Sequence, residues 1–203
     1  NEVNDISLLA KHYKKLLVVV NCGGLVDLSP LDDIQNIGAI LHFVQGGEEG
    51  GNAFADLVSG KVTPSGKLVD TWAMRYKDYP SSDSFGSIDG NPERTDYKEG
   101  IYVGYRWFDA MNIKPRFPFG FGLSYTRFEI EETEVNVEGT RFAVKLWVTN
   151  RGSEYSGKEV VQLYIAKPQG KLGKEKRSLA AFAKTRTLQP QESQMLTVGF
   201  DLT

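Results

Sequence analysis

The spacing of apolar residues changes near Tyr125, and this change divides the chain into two kinds of structure. Beyond it, the segments "FAVKLWVTNRG", "EVVQLYIAKP" and "QMLTVGFDL" alternate apolar and polar residues and are bounded by turn residues. Such alternation is typical of antiparallel strands with one buried face. Residues 126–203 are therefore predicted to form an all-β sandwich. Because a complete seven-stranded sandwich takes about 100 residues, we expect this one to be incomplete.

The chain up to residue 74 has a different pattern, in which helices and strands alternate. "KKLLVVVN" and "AILHFVQ" are short runs that are apolar on both faces, and each is followed by glycines. "EEGGNAFADLVSG" is predicted to be a helix with Phe54, Leu57 and Val58 on one face and Gly60 at its end. Strands that are apolar on both faces and separated by helices predict a mainly parallel α/β sheet in residues 1–74.

Residues 75–125 are predicted to connect these two parts. Residues 75–96 are rich in Ser, Asp, Gly and Pro, which predicts a long surface loop. The next segment, "YKEGIYVGYRWFDAM", fits the period of a helix and also that of a strand, and periodicity does not decide between them. "FPFGFGLSYT", residues 117–126, then combines four aromatic rings with one proline and two glycines, so neither a helix nor a strand can run far there.

The overall composition argues against several classes of function. A net charge of −2 gives no general attraction to nucleic acid or to anionic lipid, so neither a nucleic acid nor a membrane is expected as a partner. The longest apolar run, Leu16–Val20, is far too short to span a membrane. The basic run at residues 167–177 contains no aromatic residue and is interpreted as a solvated hairpin loop.

The single cysteine, Cys22, cannot form a disulfide within the chain, and we interpret it as a quiet buried thiol. Its presence as a free thiol fits a reducing compartment, which favours the cytoplasm while leaving the compartment open. The first residues have the pattern of sequence from the middle of a domain. We therefore expect the chain to be a piece of a longer protein.

The glycine-rich segment "QGGEEGGNAF" is the strongest local candidate for a binding site. Gly46 and Gly51 have the spacing of a phosphate-binding loop, but Asn52 stands where that loop requires lysine, which argues against a nucleotide. A helix that begins here could instead offer free N–H groups to a polar ligand. Glu48 and Glu49 would also interact favourably with the helix dipole, which is a purely structural explanation for them.

No metal or cofactor site is expected. His12 and His42 are the only histidines, and neither has a neighbouring ligand at metal-binding spacing. We interpret both as core or surface histidines. The sequence also lacks the Gly-x-Ser-x-Gly elbow of serine hydrolases.

Five blocks, taken together and in order, resemble glycoside hydrolase family 3, in the β-glucosidase type that carries a fibronectin type III-like domain. The blocks are "QGGEEGGNAFADLVSGKVTPSGKLVDTW", "YKEGIYVGYRWFDA", "FPFGFGLSYTRFE", "VTNRGSEYSGKEVVQLYIAKP" and "RSLAAFAKTRTLQPQES". The resemblance implies the last part of an α/β sandwich domain (residues 1–74), a long loop and inter-domain joint (residues 75–125), and most of the fibronectin-like sandwich (residues 126–203). It also implies that Phe117, Phe119, Phe121 and Tyr125 bury the joint.

The resemblance further implies where the catalytic groups lie. In the family a (β/α)₈-type barrel carries the aspartate nucleophile, and the acid/base glutamate usually precedes the glycine-rich block, so both are expected outside this chain. The isolated chain is therefore expected to be inactive, with the barrel of the same enzyme as its partner. Glu49 matches the glutamate of the glycine-rich block near the active-site cleft. Glu48, Glu49 and Asn52 are the residues of this chain that we expect to line that cleft.

The activity implied by the resemblance is the retaining, exo-acting hydrolysis of terminal β-D-glucosides. The alternatives are a β-xylosidase or α-arabinofuranosidase of the same family, or a non-catalytic module that binds carbohydrate or a partner. Exposed aromatic residues on the sandwich would favour the module, but alternation favours core packing for Trp147 and Tyr164. The wording "DTWAMRYKDYPSS" resembles relatives from anaerobic bacteria in which the barrel comes last. Formation of a homo-oligomer stays open.

Overall fold

The computed structural model describes residues 1–86, 93–94, 96–168 and 170–202. Its first part consists of α1 (Glu2–His12), β1 (Leu16–Val20), β2 (Ile37–His42) and α2 (Gly50–Val58). β1 and β2 pair in parallel, with Val20 opposite His42 at their carboxyl ends. The prediction of a parallel α/β arrangement in this part is confirmed. None of the helices in the described ranges is long and apolar enough to cross a membrane.

The parallel pair of strands is only partly covered. On β1, Leu17 and Val19 are 42% and 39% exposed, while Leu16, Val18 and Val20 are half-buried. Parallel sheets are normally covered on both faces. Within the described residues, one face of β1 therefore presents apolar side chains to solvent.

Helix α3 (Tyr105–Met111) occupies the segment whose periodicity is ambiguous. Phe108 is 3% exposed and packs edge-on against Tyr79, with the ring centroids 5.9 Å apart. Trp107 Nε1 donates to the carbonyl oxygen of Asp78 at 2.9 Å. Consecutive residues, Trp107 and Phe108, thus both contact the segment at Asp78 and Tyr79. In a strand their side chains would point to opposite faces, so these contacts favour the helix.

The connecting loop predicted at residues 75–96 contains a 3₁₀ turn, Tyr76–Asp78, followed by further turns up to residue 86. Arg75 N donates to Asp78 Oδ2 at 3.0 Å, which closes the 3₁₀ turn locally. The part of the prediction that falls on residues 87–92 and on residue 95 lies outside the described residues.

The aromatic joint, residues 117–126, lies against both parts of the chain. Trp72 and Phe117 form an antiparallel backbone bridge, and Phe117 stacks on Phe121 with centroids 5.0 Å apart. Phe119 packs against Tyr105 at 5.5 Å. The three phenylalanines are half-buried, as expected.

Tyr125 departs from the expectation that it would be buried in the joint, since it is 45% exposed. Its ring packs edge-on against Tyr155 at 5.6 Å, and its hydroxyl donates to the carbonyl oxygen of Leu57 at 2.8 Å. A phenol must keep its hydroxyl close to a polar partner. Here that partner lies at the surface, at the end of α2, and the ring remains at the rim.

Two glycines of the joint are required by close contacts. A Cβ at Gly122 would lie 2.3 Å from the carbonyl oxygen of Gly66, which is a backbone atom that cannot move aside cheaply. Gly120 has a φ of +82°, in the left-handed region, and a Cβ there would lie 2.6 Å from Oε1 of Gln162 on the sandwich. The two parts of the chain therefore approach more closely than any residue with a side chain would allow.

The sandwich contains five strands in the described residues. They are β3 (Phe128–Glu138), β4 (Arg141–Asn150), β5 (Val160–Ile165), β6 (Ser178–Lys184) and β7 (Ser193–Asp201). One sheet has the order β3-β4-β7 and the other pairs β5 with β6, all antiparallel. Leu146, Val148, Val161 and Leu188 form the buried core between them. The prediction of an all-β second part is confirmed.

The apolar pattern does not predict β3 or β6. β3 has the sequence "FEIEETEVNVE", and most of its side chains are exposed. It nevertheless pairs with β4 along its whole length, from Phe128 opposite Asn150 to Glu138 opposite Arg141. Backbone hydrogen bonds to β4 thus stabilise a strand whose side chains bury little surface.

Trp147 does not lie in the core, and the expectation of core packing is wrong for it. Leu146 and Val148 face inwards, so the period of two places Trp147 on the outer face, where it is 40% exposed beside Met195. Tyr164, by contrast, is half-buried and packs edge-on against Tyr105 at 5.8 Å.

Asn150 is fully buried and joins three segments of the sandwich. Its Oδ1 accepts hydrogen bonds from Thr126 Oγ1 at 2.5 Å and from Gly152 N at 3.0 Å. Its Nδ2 donates to the carbonyl oxygens of Tyr155 and Leu188 at 2.9 and 3.0 Å. The amide therefore uses two donors and two acceptor positions, and its burial leaves no polar atom unpaired.

The β5–β6 loop is held by a charged contact centred on Glu175, which is 9% exposed. Lys167 Nζ donates to Glu175 Oε1 at 2.6 Å, and the hydroxyl of Ser178 donates to the same oxygen. The hydrogen bond from Lys167, followed by that from Ser178, lowers the pKa of Glu175 to about 2. The ionised carboxylate is therefore favoured by the folded state.

This contact predicts a pH-dependent contribution to stability. Because the pKa of Glu175 is lowered on folding, its contribution is full above the ordinary carboxyl pKa of 4.5 and disappears as the pH falls through about 2. The loss of unfolding free energy caused by Glu175→Gln should therefore be largest at pH 7 and shrink between pH 4.5 and 2. Urea denaturation at pH 7, 4 and 2.5 measures it. Glu154→Gln, at an exposed turn position, is the control. A loss that stays constant with pH would contradict the prediction.

Candidate functional site

The carboxyl ends of β1 and β2 form the candidate site, which we call the carboxyl edge. It consists of the first residues after β1, 21–24, and residues 43–49, which follow β2 and lead into α2. The rest of the loop after β1 runs back to the amino end of the sheet, where Leu16 N donates to the carbonyl oxygen of Asn36 at 2.7 Å. In open α/β sheets, ligands bind in the crevice outside the carboxyl ends of the strands. The glycine-rich segment singled out from the sequence lies at this edge.

The two loops of the carboxyl edge touch. A Cβ at Gly23 would lie 3.4 Å from Nε2 of Gln45, so the side chain of Gln45 from the second loop covers the backbone of the first. Next to this contact, Cys22 is half-buried, and its Sγ donates to the carbonyl oxygen of Gly24 at 3.0 Å. The thiol is less buried than expected because the turn that contains it lies at the edge of the sheet.

The glycines of the second loop have a packing function. A Cβ at Gly46 would lie 2.4 Å from the ring of Phe43, and a Cβ at Gly50, the first residue of α2, would lie 3.4 Å from the same ring. Gly47 has a φ of +63°, which disfavours any residue with a side chain. Phe43 in turn packs edge-on against Phe54 of α2 at 6.0 Å. The loop therefore folds over an aromatic ring, which explains its glycines without a bound phosphate.

The residues predicted to line a cleft are brought to the surface of this edge. Glu48, Glu49 and Asn52 are all exposed. Glu49 precedes the first residue of α2, and Nδ2 of Asn52 donates to its Oε2 at 2.6 Å. The side chain of Glu49 does not cap the helix, so its carboxylate is directed by Asn52 instead. The pair presents a carboxylate and an amide, which suit hydrogen bonding to hydroxyl groups.

His42 is half-buried, between the core and surface positions that the sequence allows for it. Its ring packs edge-on against Trp72, with centroids 5.3 Å apart, and Trp72 is 4% exposed. His42 Nδ1 is buried without a hydrogen-bond partner in the described residues. Among those residues, there is no group of three or more His, Cys, Asp or Glu that could hold a metal ion. His42 is thus a structural link between β2 and Trp72.

Sequence reasoning misses the ion pair between Asp32, in the loop after β1, and Arg116. Two nitrogens of the Arg116 guanidinium donate to the two carboxylate oxygens of Asp32, at 2.6 and 2.7 Å. Hydrogen bonding by Arg116 lowers the pKa of Asp32, and hydrogen bonding to Asp32 raises the pKa of Arg116. The two residues are 84 positions apart, and neither stands in a motif that signals pairing.

The sandwich carries two open grooves away from this edge. One of about 490 Å³ lies beside the stacked rings of Phe142 and Phe200, whose centroids are 5.0 Å apart. The other, of about 540 Å³, lies between Arg127 and Arg151. Both open widely to solvent, and each is lined by an ion pair, Arg141 with Asp201 in the first groove and Arg151 with Glu129 in the second.

Two family models match the chain. The model of the glycosyl hydrolase family 3 C-terminal domain matches residues 2–105, and that of the fibronectin type III-like domain matches residues 159–203. The first match contains the whole carboxyl edge. The second contains β5, β6 and β7 of the sandwich.

Related proteins resemble the chain over nearly its whole length. It is 43% identical to β-glucosidase A of Butyrivibrio fibrisolvens, over 98% of this chain and 26% of that protein. It is 42% identical to a β-glucosidase of Ruminococcus albus, over 92% of this chain and 19% of that protein. The chain thus spans only about a fifth to a quarter of the length of these relatives.

Solved structures show the same fold. A β-glucosidase from Paenibacillus barengoltzii has a TM-score of 0.91 and 46% identity, covering 99% of this chain and 22% of that chain. β-Glucosidase 3B from Thermotoga neapolitana, in complex with glucose, has a TM-score of 0.92 and 37% identity, covering 99% of this chain and 28% of that chain. Together with the family match over residues 2–105, these similarities show that the chain belongs to glycosyl hydrolase family 3 and contains its C-terminal domain.

Proposed function

We propose that these residues form part of a retaining, exo-acting β-glucosidase that hydrolyses terminal β-D-glucosides. The observation that carries the proposal is the likeness, over 98–99% of the chain, to proteins described as β-glucosidases. This segment supplies loops of the cleft and the sandwich, and the nucleophile comes from the barrel of the same enzyme. We also propose that the boundaries of the α/β part, the connecting joint and the sandwich lie at residues 74/75 and 125/126.

Retaining hydrolysis proceeds in two displacements. A carboxylate attacks the anomeric carbon and forms a glycosyl–enzyme bond while the glycosidic C–O bond breaks, and a carboxylic acid gives its proton to the departing oxygen. The carboxyl group that gave up its proton then takes a proton from water. The water oxygen attacks the anomeric carbon, displaces the enzyme carboxylate and releases the sugar. The two carboxyl groups must lie about 5–5.5 Å apart. Both are proposed to lie outside this chain, so its own residues bind and orient.

Glu48, Glu49 and Asn52 are proposed to line the substrate cleft. They are exposed at the carboxyl edge, and the hydrogen bond from Asn52 directs the carboxylate of Glu49. An ionised carboxylate accepts hydrogen bonds from sugar hydroxyls and gives the stronger, charge-assisted kind. Their role is therefore binding of the substrate, with no part in bond cleavage.

A carbohydrate-binding function of the sandwich is the second candidate. The exposed indole of Trp147 on the outer face of β4 favours it, because a flat ring can stack on a sugar. The sandwich would then bind polysaccharide, either in addition to the catalytic function of the enzyme or instead of it. Activity toward β-xylosides or α-arabinofuranosides is the third possibility, since the sugar-binding residues of the barrel lie outside this segment.

A panel of aryl glycosides tests the proposed activity in the full-length enzyme. We expect clear turnover of the aryl β-glucoside and much lower kcat/KM on the aryl β-xyloside and the aryl α-arabinofuranoside. A preference for either pentoside would assign that activity instead. Absence of turnover on all three, together with binding of soluble β-glucan that is lost in Trp147→Ala, would favour the binding module.

The isolated 203 residues should not hydrolyse any substrate of this panel. The physical reason is that a retaining mechanism needs two carboxylates in place, and both are assigned to other parts of the enzyme. Release of the aryl group is measured with the purified chain at high concentration, and the full-length enzyme is the positive control. Hydrolysis that stays with the chain through purification would show that the catalytic carboxyl groups lie within these 203 residues.

Substitutions at the carboxyl edge test the cleft residues. In the full-length enzyme, Asn52→Ala and Glu49→Gln should each raise KM for the aryl β-glucoside by about tenfold, equivalent to ~1.4 kcal/mol for one charge-assisted hydrogen bond. They should leave kcat within about twofold of the unsubstituted enzyme, because the lost hydrogen bond stabilises the bound substrate and the transition state equally. Glu131→Gln, on the outer face of the sandwich, is the matched control. A loss of kcat with unchanged KM would mean a role in the chemistry.

A further inference from the structure

Arg116 is held at two points, its backbone N–H and its guanidinium group. Its backbone N donates to the carbonyl oxygen of Trp72 at 2.7 Å, which fixes it to the bridge at the start of the aromatic joint. Its guanidinium binds Asp32 through two parallel hydrogen bonds. The Arg116 side chain is 11% exposed, whereas that of Asp32 is 47% exposed. The arginine thus reaches out from a nearly buried position to hold a residue of a surface loop.

Asp32 belongs to a locally ordered stretch of the loop after β1. The 3₁₀ turn Ser29–Leu31 precedes it, and Ser29 N donates to Asp27 Oδ1 at 2.8 Å. Leu28, 6% exposed, anchors the stretch in the interior. These contacts give the stretch a local structure of its own, and its far end is fixed through the carboxylate of Asp32.

The pair is hard to replace by any other contact of the described residues. A guanidinium fork matches a carboxylate in geometry as well as in charge, and a lysine cannot reproduce that match. Arg116 Nε is buried and has no hydrogen-bond partner among those residues. The pairing therefore rests on Nη1 and Nη2 of Arg116, which donate to the carboxylate of Asp32. Removal of Asp32 would leave a nearly buried charge without its partner.

The loop held by this pair reaches the proposed cleft. Residues 21–36 contain Asp32 and also Gly23, whose backbone lies under the side chain of Gln45. Gln45 belongs to the same loop as Glu48 and Glu49. The contact between Gly23 and Gln45 thus connects the first loop to the loop that carries the proposed substrate contacts.

We propose that Asp32 and Arg116 are a positioning pair that locks the loop after β1 to the aromatic joint and thereby sets the geometry of the carboxyl edge for substrate. This inference rests on the proposed glycosidase function. Neither residue touches the substrate, and their effect passes through the contact between Gly23 and Gln45.

The test is a double-mutant cycle in the full-length enzyme with the aryl β-glucoside. Asp32→Asn and Arg116→Met should each lower kcat/KM between about tenfold and a hundredfold, as displacements of about 1 Å in a catalytic site do. The double variant should be no worse than the single ones, because the interaction is lost only once. Arg116→Lys, which keeps the charge without the fork, should recover part of the loss.

Matched controls separate positioning from general destabilisation. Asp33→Asn changes the same charge at the next, exposed residue, and Lys114→Met removes an exposed charge two residues before Arg116. Both should keep kcat/KM within about twofold of the unsubstituted enzyme. If the pair variants only lower the melting temperature and keep kcat/KM, the pair is merely structural and the proposal fails. Additive losses in the cycle would overturn it as well.

Hydrogen–deuterium exchange distinguishes failure of this inference from failure of the proposed function. In Asp32→Asn, exchange should rise in residues 27–36 and also in residues 43–49, while Asp33→Asn leaves both unchanged. This readout does not depend on turnover. If the unsubstituted enzyme hydrolyses no aryl glycoside but exchange rises in both loops, the proposed function fails and the mechanical coupling stands. Unchanged exchange in residues 43–49 would refute the coupling itself.

Discussion

The backbone bridge between Trp72 and Phe117 is the contact on which the rest of the molecule depends. It joins Trp72, near the end of the α/β part, to the first residue of the aromatic joint through backbone hydrogen bonds. The ring of Trp72 is buried between His42, at the end of β2, and Phe117. Burial of rings of this size contributes on the order of 2–3 kcal/mol each. The edge of the sheet and the joint therefore share one aromatic core.

From this bridge the sandwich is held at very short range. Gly122 lies against Gly66, and Lys67 forms an ion pair of 2.8 Å with Glu159 of the sandwich, with both side chains only 16–17% exposed. Farther along, Arg177 binds Asp109 of α3 at 2.7 Å. Backbone contacts and part-buried charges leave little freedom for the sandwich to pivot. Under the proposed function, such rigidity would keep the distance between the two carboxyl groups constant, and the rate depends steeply on that distance.

The sequence predicts the layers of the fold better than it predicts the site. Alternation in "FAVKLWVTNRG" predicts a strand with one buried face, and the structure has strand β4 there. The predicted core position of Trp147 is wrong, because Leu146 and Val148 occupy the inward face and the period of two turns Trp147 outwards. β3 is not visible as a pattern, because a strand that pairs with β4 and exposes most of its side chains needs no apolar period. Glu49 and Asn52 are proposed from the sequence because both belong to one glycine-rich motif. Asp32 and Arg116 are not, because their contact joins distant segments.

The sequence by itself determined the order of the parts, the helical and strand periods within them, the family, and the glycines that the joint and the glycine-rich loop require. These follow from local rules, since period and turn chemistry act over a few residues. The tertiary structure alone decided that residues 105–111 form a helix, that Tyr125 stays at the rim, and that Arg116 reaches Asp32. Each of these outcomes depends on a partner far away in the chain, and no local pattern carries the identity of such a partner.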